Sequence, residues 1–199
     1  MARGGLARTG AAGVTATRRA AALTVLAVVA GLALPVLAAG LVAVDDPDDT
    51  AGKLDVHEVR FTHVSGTPPR WTVITFNDWT TREIWDQGYV LLYLDTMHSP
   101  DPDYFVLLRA DRYRLVGSLW RHAANDRRMF AVPARRSGSN GAQVSVPLRK
   151  LRIGPNRTLY RWYVTTLFTG GHCHQPCIDE APDATMVEQP LPSASPSPS

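Results

Sequence analysis

The stretch Leu159–Phe168, LYRWYVTTLF, decides the fold class of this 199-residue chain. Every second position holds a side chain that would share one face of a strand, namely Tyr160, Trp162, Val164, Thr166 and Phe168. A period of two that is sustained over the whole stretch predicts a β-strand with one face on a core.

Seven further stretches have the length of strands and their content of Val, Tyr, Phe, Trp and Thr. They are Asp55–Val64, Trp71–Phe76, Tyr89–Asp95, Tyr104–Ala110, Tyr113–Trp120, Met129–Val132 and Gln143–Leu148. Turns that contain Gly, Pro or Asn separate several of them. The sequence therefore predicts an all-β fold, an antiparallel, jelly-roll-like β-sandwich of about eight strands. Tyr89–Leu94 is apolar throughout, which predicts a central strand covered on both faces.

An uncharged apolar run, Ala20–Val44, follows Arg18 and Arg19. A basic segment before such a run predicts a secretory signal peptide or a signal anchor over residues 1–44. Small residues favour cleavage after Ala38, whereas the length of the run also suits an uncleaved hydrophobic helix across a membrane. Both alternatives place the remaining chain outside the cytoplasm, either secreted or anchored to the cell membrane.

Composition divides the remaining chain into three parts. Residues 45–53, DDPDDTAGK, are acidic and poor in apolar side chains, so we expect a linker. Residues 54–188 would form the β-sandwich domain. Residues 189–199, QPLPSASPSPS, have the Pro/Ser composition of a disordered tail.

The charge of the chain does not indicate nucleic-acid binding. The net charge is +3, but four of the 21 basic residues precede Val44 and none of the 18 acidic residues does. The remainder is therefore close to neutral and lacks the basic surface that phosphate binding requires.

Cys173 and Cys177 are the only cysteines, in the segment GGHCHQPC. An even number of cysteines in an exported chain favours a disulfide between them. Zinc is the alternative, because His172, Cys173, His174 and Cys177 are all zinc ligands by type. Four ligands within six residues converge poorly on one tetrahedron, so the disulfide is favoured.

Three aspartates, Asp95, Asp101 and Asp103, flank a loop between two predicted strands. Ca²⁺ takes six to eight oxygen ligands, so this loop is our first choice for a structural calcium site. The favoured explanation is nevertheless that Asp and Pro only form the turn. Apart from calcium, no cofactor is expected.

The five tryptophans are candidates for a binding surface, because an indole has an apolar face and a polar edge. Trp71, Trp120 and Trp162 lie in predicted strands, so we place them in the core. Trp79 and Trp85 lie in or near an irregular segment and are the better candidates for ligand binding, although packing in the core is the favoured explanation for each of them.

Motifs of nucleophilic catalysis are absent from the sequence, since it contains neither Gly-x-Ser-x-Gly nor Ser-x-x-Lys. His57 and Glu58 begin a zinc-protease motif, but Phe61 stands where the second histidine is required. We therefore expect a protein that is not an enzyme.

Short motifs follow one another along the predicted domain. They are Asp55–Val56, Tyr93–Thr96, Asp103–Val106, Val144–Leu148, Leu151 and the strand at Trp162. In this order they resemble the extracellular β-sandwich domains of the family-nine carbohydrate-binding-module and DOMON-like group, over about Leu54–Asp183. The closing Cys177–Asp183 is also similar to the ending of secreted actinobacterial proteins. Members of the group bind sugars or haem, and since this chain shows no haem-ligand pair, the resemblance implies a fold and not a ligand.

These features predict a secreted or membrane-anchored, non-catalytic module that binds a cell-surface glycan or another envelope component. Two alternatives stay open. One is an extracytoplasmic protein that binds zinc or calcium, including a metal-dependent enzyme. The other is a purely structural envelope protein.

Overall fold

The computed structural model describes residues 40–123, 125–153, 156–183 and 185–191. Within these residues the regular elements are twelve strands and one 3₁₀ turn, Leu148–Lys150. The strands are β1 (Gly40–Asp45), β2 (Val56–His63), β3 (Arg70–Thr75), β4 (Gly88–Asp95), β5 (Tyr104–Asp111), β6 (Arg114–Arg121), β7 (Arg127–Val132), β8 (Ala134–Arg136), β9 (Gly141–Ser145), β10 (Leu159–Phe168), β11 (Cys177–Ala181) and β12 (Val187–Pro190).

The strands form two antiparallel sheets, which confirms the all-β prediction. The smaller sheet has the order β1-β2-β3-β9-β8. The larger sheet has the order β11-β10-β4-β5-β6-β7, and β12 pairs with β10 on the side that β11 also occupies. All eight predicted stretches correspond to strands, while β1, β8, β11 and β12 were not predicted.

One hydrophobic core lies between the two sheets. The inward positions of β10 are buried as the alternation predicts, and the Trp162 side chain is fully buried. Its ring centroid lies 6.4 Å from those of Phe61 and Trp71, which belong to the smaller sheet. Aromatic contacts between the sheets therefore contribute to the centre of the core. The outer face of each strand is the one that points away from this core.

The N-terminal boundary of the fold differs from the expected one. Residues 40–45 form β1, which pairs with β2 along its whole length. The backbone amide of Asp46 donates to the carbonyl of His57 at 3.0 Å, and Gly52, at a φ of +108°, lies against Phe168. The acidic segment that we expected to be a linker thus packs on the domain. The expectation of a linker was based on the low number of apolar side chains in this segment. Backbone hydrogen bonds can form without such side chains.

The C-terminal boundary differs in the same way, because Gln189 of the expected tail is buried in β12. Residues 192–199, and residues 1–39 with most of the expected signal or anchor, lie outside the described residues. No helix within the described ranges is long and apolar enough to span a membrane.

One face of β4 is uncovered by the described residues. Val90, Leu92 and Leu94 point into the core, whereas Tyr89, Leu91 and Tyr93 on the outer face are half-exposed. The prediction that both faces of β4 are covered is therefore wrong for the part of the chain described.

Candidate functional site

Four aromatic side chains form a row across the outer face of the larger sheet. Tyr163 of β10 lies opposite Tyr93 of β4. Tyr93 lies opposite Phe105 of β5, and Phe105 lies opposite Trp120 of β6. All four side chains are half-buried. We call these four side chains the aromatic row.

The rings of the aromatic row pack against one another. Tyr93 and Tyr163 have centroids 4.7 Å apart and planes 11° from parallel. Phe105 and Trp120 have centroids 5.9 Å apart and planes 4° from parallel. Tyr93 and Phe105, at 5.9 Å, are tilted by 45° and join the two pairs. Such contacts restrict the orientations of the rings.

Both tyrosines of the row keep their protons well above neutral pH. Burial, followed by the nearby phenol of Tyr93 and the carboxylates of Glu180 and Asp101, raises the pKa of Tyr163 to about 12. Burial and the carboxylates of Asp126 and Glu180 raise the pKa of Tyr93. The row therefore carries two neutral phenols, each able to donate and to accept a hydrogen bond.

The corresponding face of the smaller sheet is polar. Its cross-strand row consists of Arg60, Thr72, Gln143 and Arg135. The Gln143 amide donates to Thr72 Oγ1 at 3.0 Å and accepts from Arg135 Nε at 2.8 Å. The fold thus tolerates an ordinary polar outer face, as antiparallel sheets usually have. Packing between the sheets does not explain the aromatic row.

A polar cleft adjoins one side of the aromatic row. The ring of His122 meets Tyr93 and Phe105 edge-on, with centroids 6.3 and 5.9 Å away. Its Nδ1 lies 2.9 Å from a carboxylate oxygen of Asp126. His122 also lines an open cleft of about 450 Å³, together with the loop Ser99–Asp103. Aromatic faces, phenols and carboxylates therefore lie side by side on this surface.

Comparisons of the chain with protein-family models, with curated proteins and with solved structures found no match.

Of the two tryptophans considered for ligand binding, Trp79 is buried and only 2% exposed. Its Nε1 donates to Thr75 Oγ1 at 3.1 Å, and the guanidinium of Arg136 lies 3.5 Å from the ring centroid. Trp79 is thus part of the core and is closed to a ligand. Trp85 is 44% exposed and lines a separate open cleft with Arg82 and His172.

The loop first considered for calcium uses its carboxylates internally. Asp95 is fully buried and forms an ion pair with Arg161. Asp103 Oδ2 accepts from the backbone amides of Thr96 and Met97, each at 2.8 Å. Asp101 is exposed. This arrangement favours the explanation in which the acidic side chains only form the turn.

The two cysteines form a disulfide, with Cα atoms 5.7 Å apart. The sulfurs are joined to each other and are therefore not free to bind zinc. His172 and His174 beside them are exposed. The bridge closes the loop that leads into β11, the strand at the edge of the larger sheet.

Sequence reasoning missed two features of the site region. Trp120 was placed in the core because it lies in a strand, and the alternation of β6 alone does not say which face is inward. The second feature is a group of carboxylates, which lie far apart in sequence and meet at one edge of the fold. They are Asp46, Asp49, Asp55, Asp179 and Asp183.

Proposed function

We propose that this protein is a non-catalytic, extracytoplasmic module that binds a glycan of the cell envelope through the aromatic row. The observation that carries this proposal is the aromatic row itself, four half-exposed rings in register on four neighbouring strands. A concentration of large aromatic side chains on a surface is the usual mark of a binding site.

The chemistry of the surface suits a sugar polymer. Sugar rings present apolar C–H faces together with hydroxyl groups, and the aromatic row presents apolar rings together with the phenols of Tyr93 and Tyr163. The carboxylates of Asp101, Asp126 and Glu180 are near enough to affect those phenols and would accept hydrogen bonds from sugar hydroxyls. Four neighbouring strands extend over about 15 Å, which is room for more than one sugar unit.

Two further observations support an extracytoplasmic setting. The disulfide between Cys173 and Cys177 is typical of oxidising compartments. The basic and apolar N-terminus has the pattern of a secretion signal or an anchor. We also propose that the two sheets form a jelly-roll-like sandwich, as the resemblance to the family-nine carbohydrate-binding-module and DOMON-like group implies.

The proposal is tested by co-sedimentation of the protein with three insoluble polymers, namely peptidoglycan, chitin and cellulose. The test variants are Trp120→Ala and Tyr163→Ala in the aromatic row. Gln143→Ala on the polar outer face of the smaller sheet is the matched control, and Trp85→Ala tests the other exposed tryptophan. Circular dichroism of each variant checks that it is folded.

We expect the native chain to bind at least one polymer. Removal of a ring that anchors the ligand should weaken binding by about 2 kcal/mol, or roughly thirtyfold, whereas Gln143→Ala should have no effect. Absence of binding to all three polymers, or binding that Trp85→Ala abolishes while Trp120→Ala and Tyr163→Ala preserve it, would refute the proposal. Turnover of any polymer would refute its non-catalytic part.

A further inference from the structure

Five carboxyl groups converge where an edge of the smaller sheet meets an edge of the larger one. Three come from the segment between β1 and β2 and two from β11 and the turn after it. Carboxylate oxygens of Asp46, Asp179 and Asp183 lie within 4.8 Å of one another. The same holds for Asp49, Asp55 and Asp179, so that Asp179 belongs to both groups. We call these five residues the acidic cluster.

Asp55 is the most informative member of the acidic cluster. Its side chain is 1% exposed, and neither carboxylate oxygen has a hydrogen-bond partner among the described residues. Asp46 is 6% exposed, and its Oδ2 also lacks a partner there. Burying such groups without partners costs free energy that a bound cation would recover. The two unpartnered carboxylates therefore point to a missing ligand.

Other buried acids of this protein have partners. Asp95 is paired with Arg161, and Glu58 with Arg60. In the described part of the chain, none of the ion pairs involves a member of the acidic cluster. The backbone amide of Thr50 lowers the pKa of Asp55, which favours the charged form of this carboxyl group. The amide does not have hydrogen-bond geometry to either oxygen of Asp55.

Asp46 and Asp55 of the acidic cluster both have raised pKa values. Burial, followed by the charges of Asp179 and Asp183, raises the pKa of Asp46 to about 7. Burial, followed by the neighbouring carboxyls of Asp48 and Asp179, raises the pKa of Asp55 to about 7. A cation in the cluster would reverse this effect, because it favours the charged carboxylates.

We infer that the acidic cluster binds Ca²⁺. All of its side-chain donors are carboxylate oxygens, which Ca²⁺ prefers and can use in either one- or two-oxygen contacts. Zinc sites of proteins draw mainly on nitrogen and sulfur donors, which the cluster lacks. Mg²⁺ demands a stricter octahedral geometry and keeps several of its waters.

The position of the acidic cluster indicates what the ion would do. Asp179 Oδ2 already accepts from the backbone amide of Val56 at 2.6 Å, which joins β11 to β2. An ion bound by Asp55, which directly precedes β2, and by Asp179 of β11 would form a second link between these strands. Because it binds only the folded state, it would stabilise the domain in proportion to its affinity. This inference does not depend on the proposed glycan binding.

The test uses the full chain, freed of metal with a chelator and then dialysed. Titration calorimetry with CaCl₂ and with MgCl₂ measures affinity, and thermal unfolding with and without each salt measures stabilisation. Asp183→Asn and Asp49→Asn alter exposed members of the cluster and should fold. Asp55→Asn removes the buried charge. Asp101→Asn, in the loop after β4, is the control.

We expect CaCl₂ to bind and to raise the melting temperature by several degrees. Each cluster variant should weaken calcium binding by about tenfold or more, since affinity follows the number of charged ligands. Asp101→Asn should bind calcium as the native chain does. The inference would be overturned if CaCl₂ does not bind at millimolar concentration, or if all three cluster variants bind calcium as the native chain does. A clear preference for MgCl₂ would also overturn it.

Discussion

Tyr163 of β10 stacks on Tyr93 of β4 across the outer face of the larger sheet, with ring centroids 4.7 Å apart. Two aromatic rings thus lie on a face that an antiparallel sheet usually gives to polar side chains. Their mutual packing means that the surface is ordered even without ligand. Rigid aromatic side chains favour binding in general, because little conformational entropy is lost when a ligand binds to them.

The stacked pair should contribute measurably to stability. Tyr93→Ala and Tyr163→Ala should each destabilise the protein, and the double variant should lose less than the sum of the two. Stacked aromatic pairs give a coupling of about 0.5–1.5 kcal/mol beyond the area they bury. Urea unfolding of the four proteins measures this coupling, and strictly additive losses would show that the rings do not interact.

Trp162 and Trp85 should differ sharply in their effect on stability. Trp162 is fully buried between the sheets, so Trp162→Ala should cost about 3–5 kcal/mol through lost burial and the cavity left behind. Trp85 is 44% exposed, and Trp85→Ala should change stability by about 0.5 kcal/mol at most. Chemical denaturation measures both values. Similar losses in the two variants would contradict the assignment of Trp162 to the centre of the core.

The Glu58–Arg60 pair predicts a dependence of stability on pH. A hydrogen bond from the Arg60 guanidinium, at 2.6 Å, holds the pKa of Glu58 below its usual range. A carboxylate with a lowered pKa in the folded state stabilises the protein above its unfolded pKa of about 4.3 and loses that effect as the pH falls through the folded pKa. Because the Arg60 side chain is exposed, solvent screens the ion pair and the effect should be small.

Glu58→Gln should therefore lower the melting temperature at about pH 7, and the difference from the native chain should shrink towards about pH 3. Glu188→Gln, at an exposed position of β12, is the matched control and should show no such trend. A difference between Glu58→Gln and the native chain that is constant with pH would mean that the pair does not hold the charge of Glu58.

The disulfide between Cys173 and Cys177 should have a local effect. The loop it closes is very short, so reduction should remove about 2 kcal/mol at most. Five paired residues join β11 to β10 independently of the bridge. Replacing both cysteines with serine should leave the fold intact and speed amide hydrogen exchange in β11 selectively. Global unfolding of this variant would contradict the prediction.

The strands that could be predicted from the sequence are those with a buried face. The period of two in Leu159–Phe168 is a direct result of burying Tyr160, Trp162 and Val164, so it is visible in the sequence. Val42 and Val44 of β1 pack against the core, but this strand continues the uncharged run that was assigned to a signal or anchor, so its own pattern is hidden. The strand β8 has only three residues, which are too few to show a period of two.

The candidate site could be predicted only in part, for a related reason. The apolar run Tyr89–Leu94 was noticed, but a strand covered on both faces and a strand with a binding surface on one face have the same pattern. They differ in whether another element covers the outer face, and the described residues leave Tyr93 partly exposed there. Pairing with distant strands then aligns Tyr93 with Phe105 and Trp120. The acidic cluster likewise depends on pairing between segments that are distant in sequence, which brings Asp55 next to Asp179.

Hydroxyl-radical footprinting of the protein, with and without each polymer that it co-sediments with, measures protection of each aromatic side chain on ligand binding. We expect protection of Tyr93, Tyr163 and Trp120. Tyr113, which is 87% exposed at another turn, and Trp85 should stay as reactive as in the free protein. Protection of Trp85 in place of the aromatic row, or no change at any aromatic residue, would contradict the claim that this surface binds an envelope glycan.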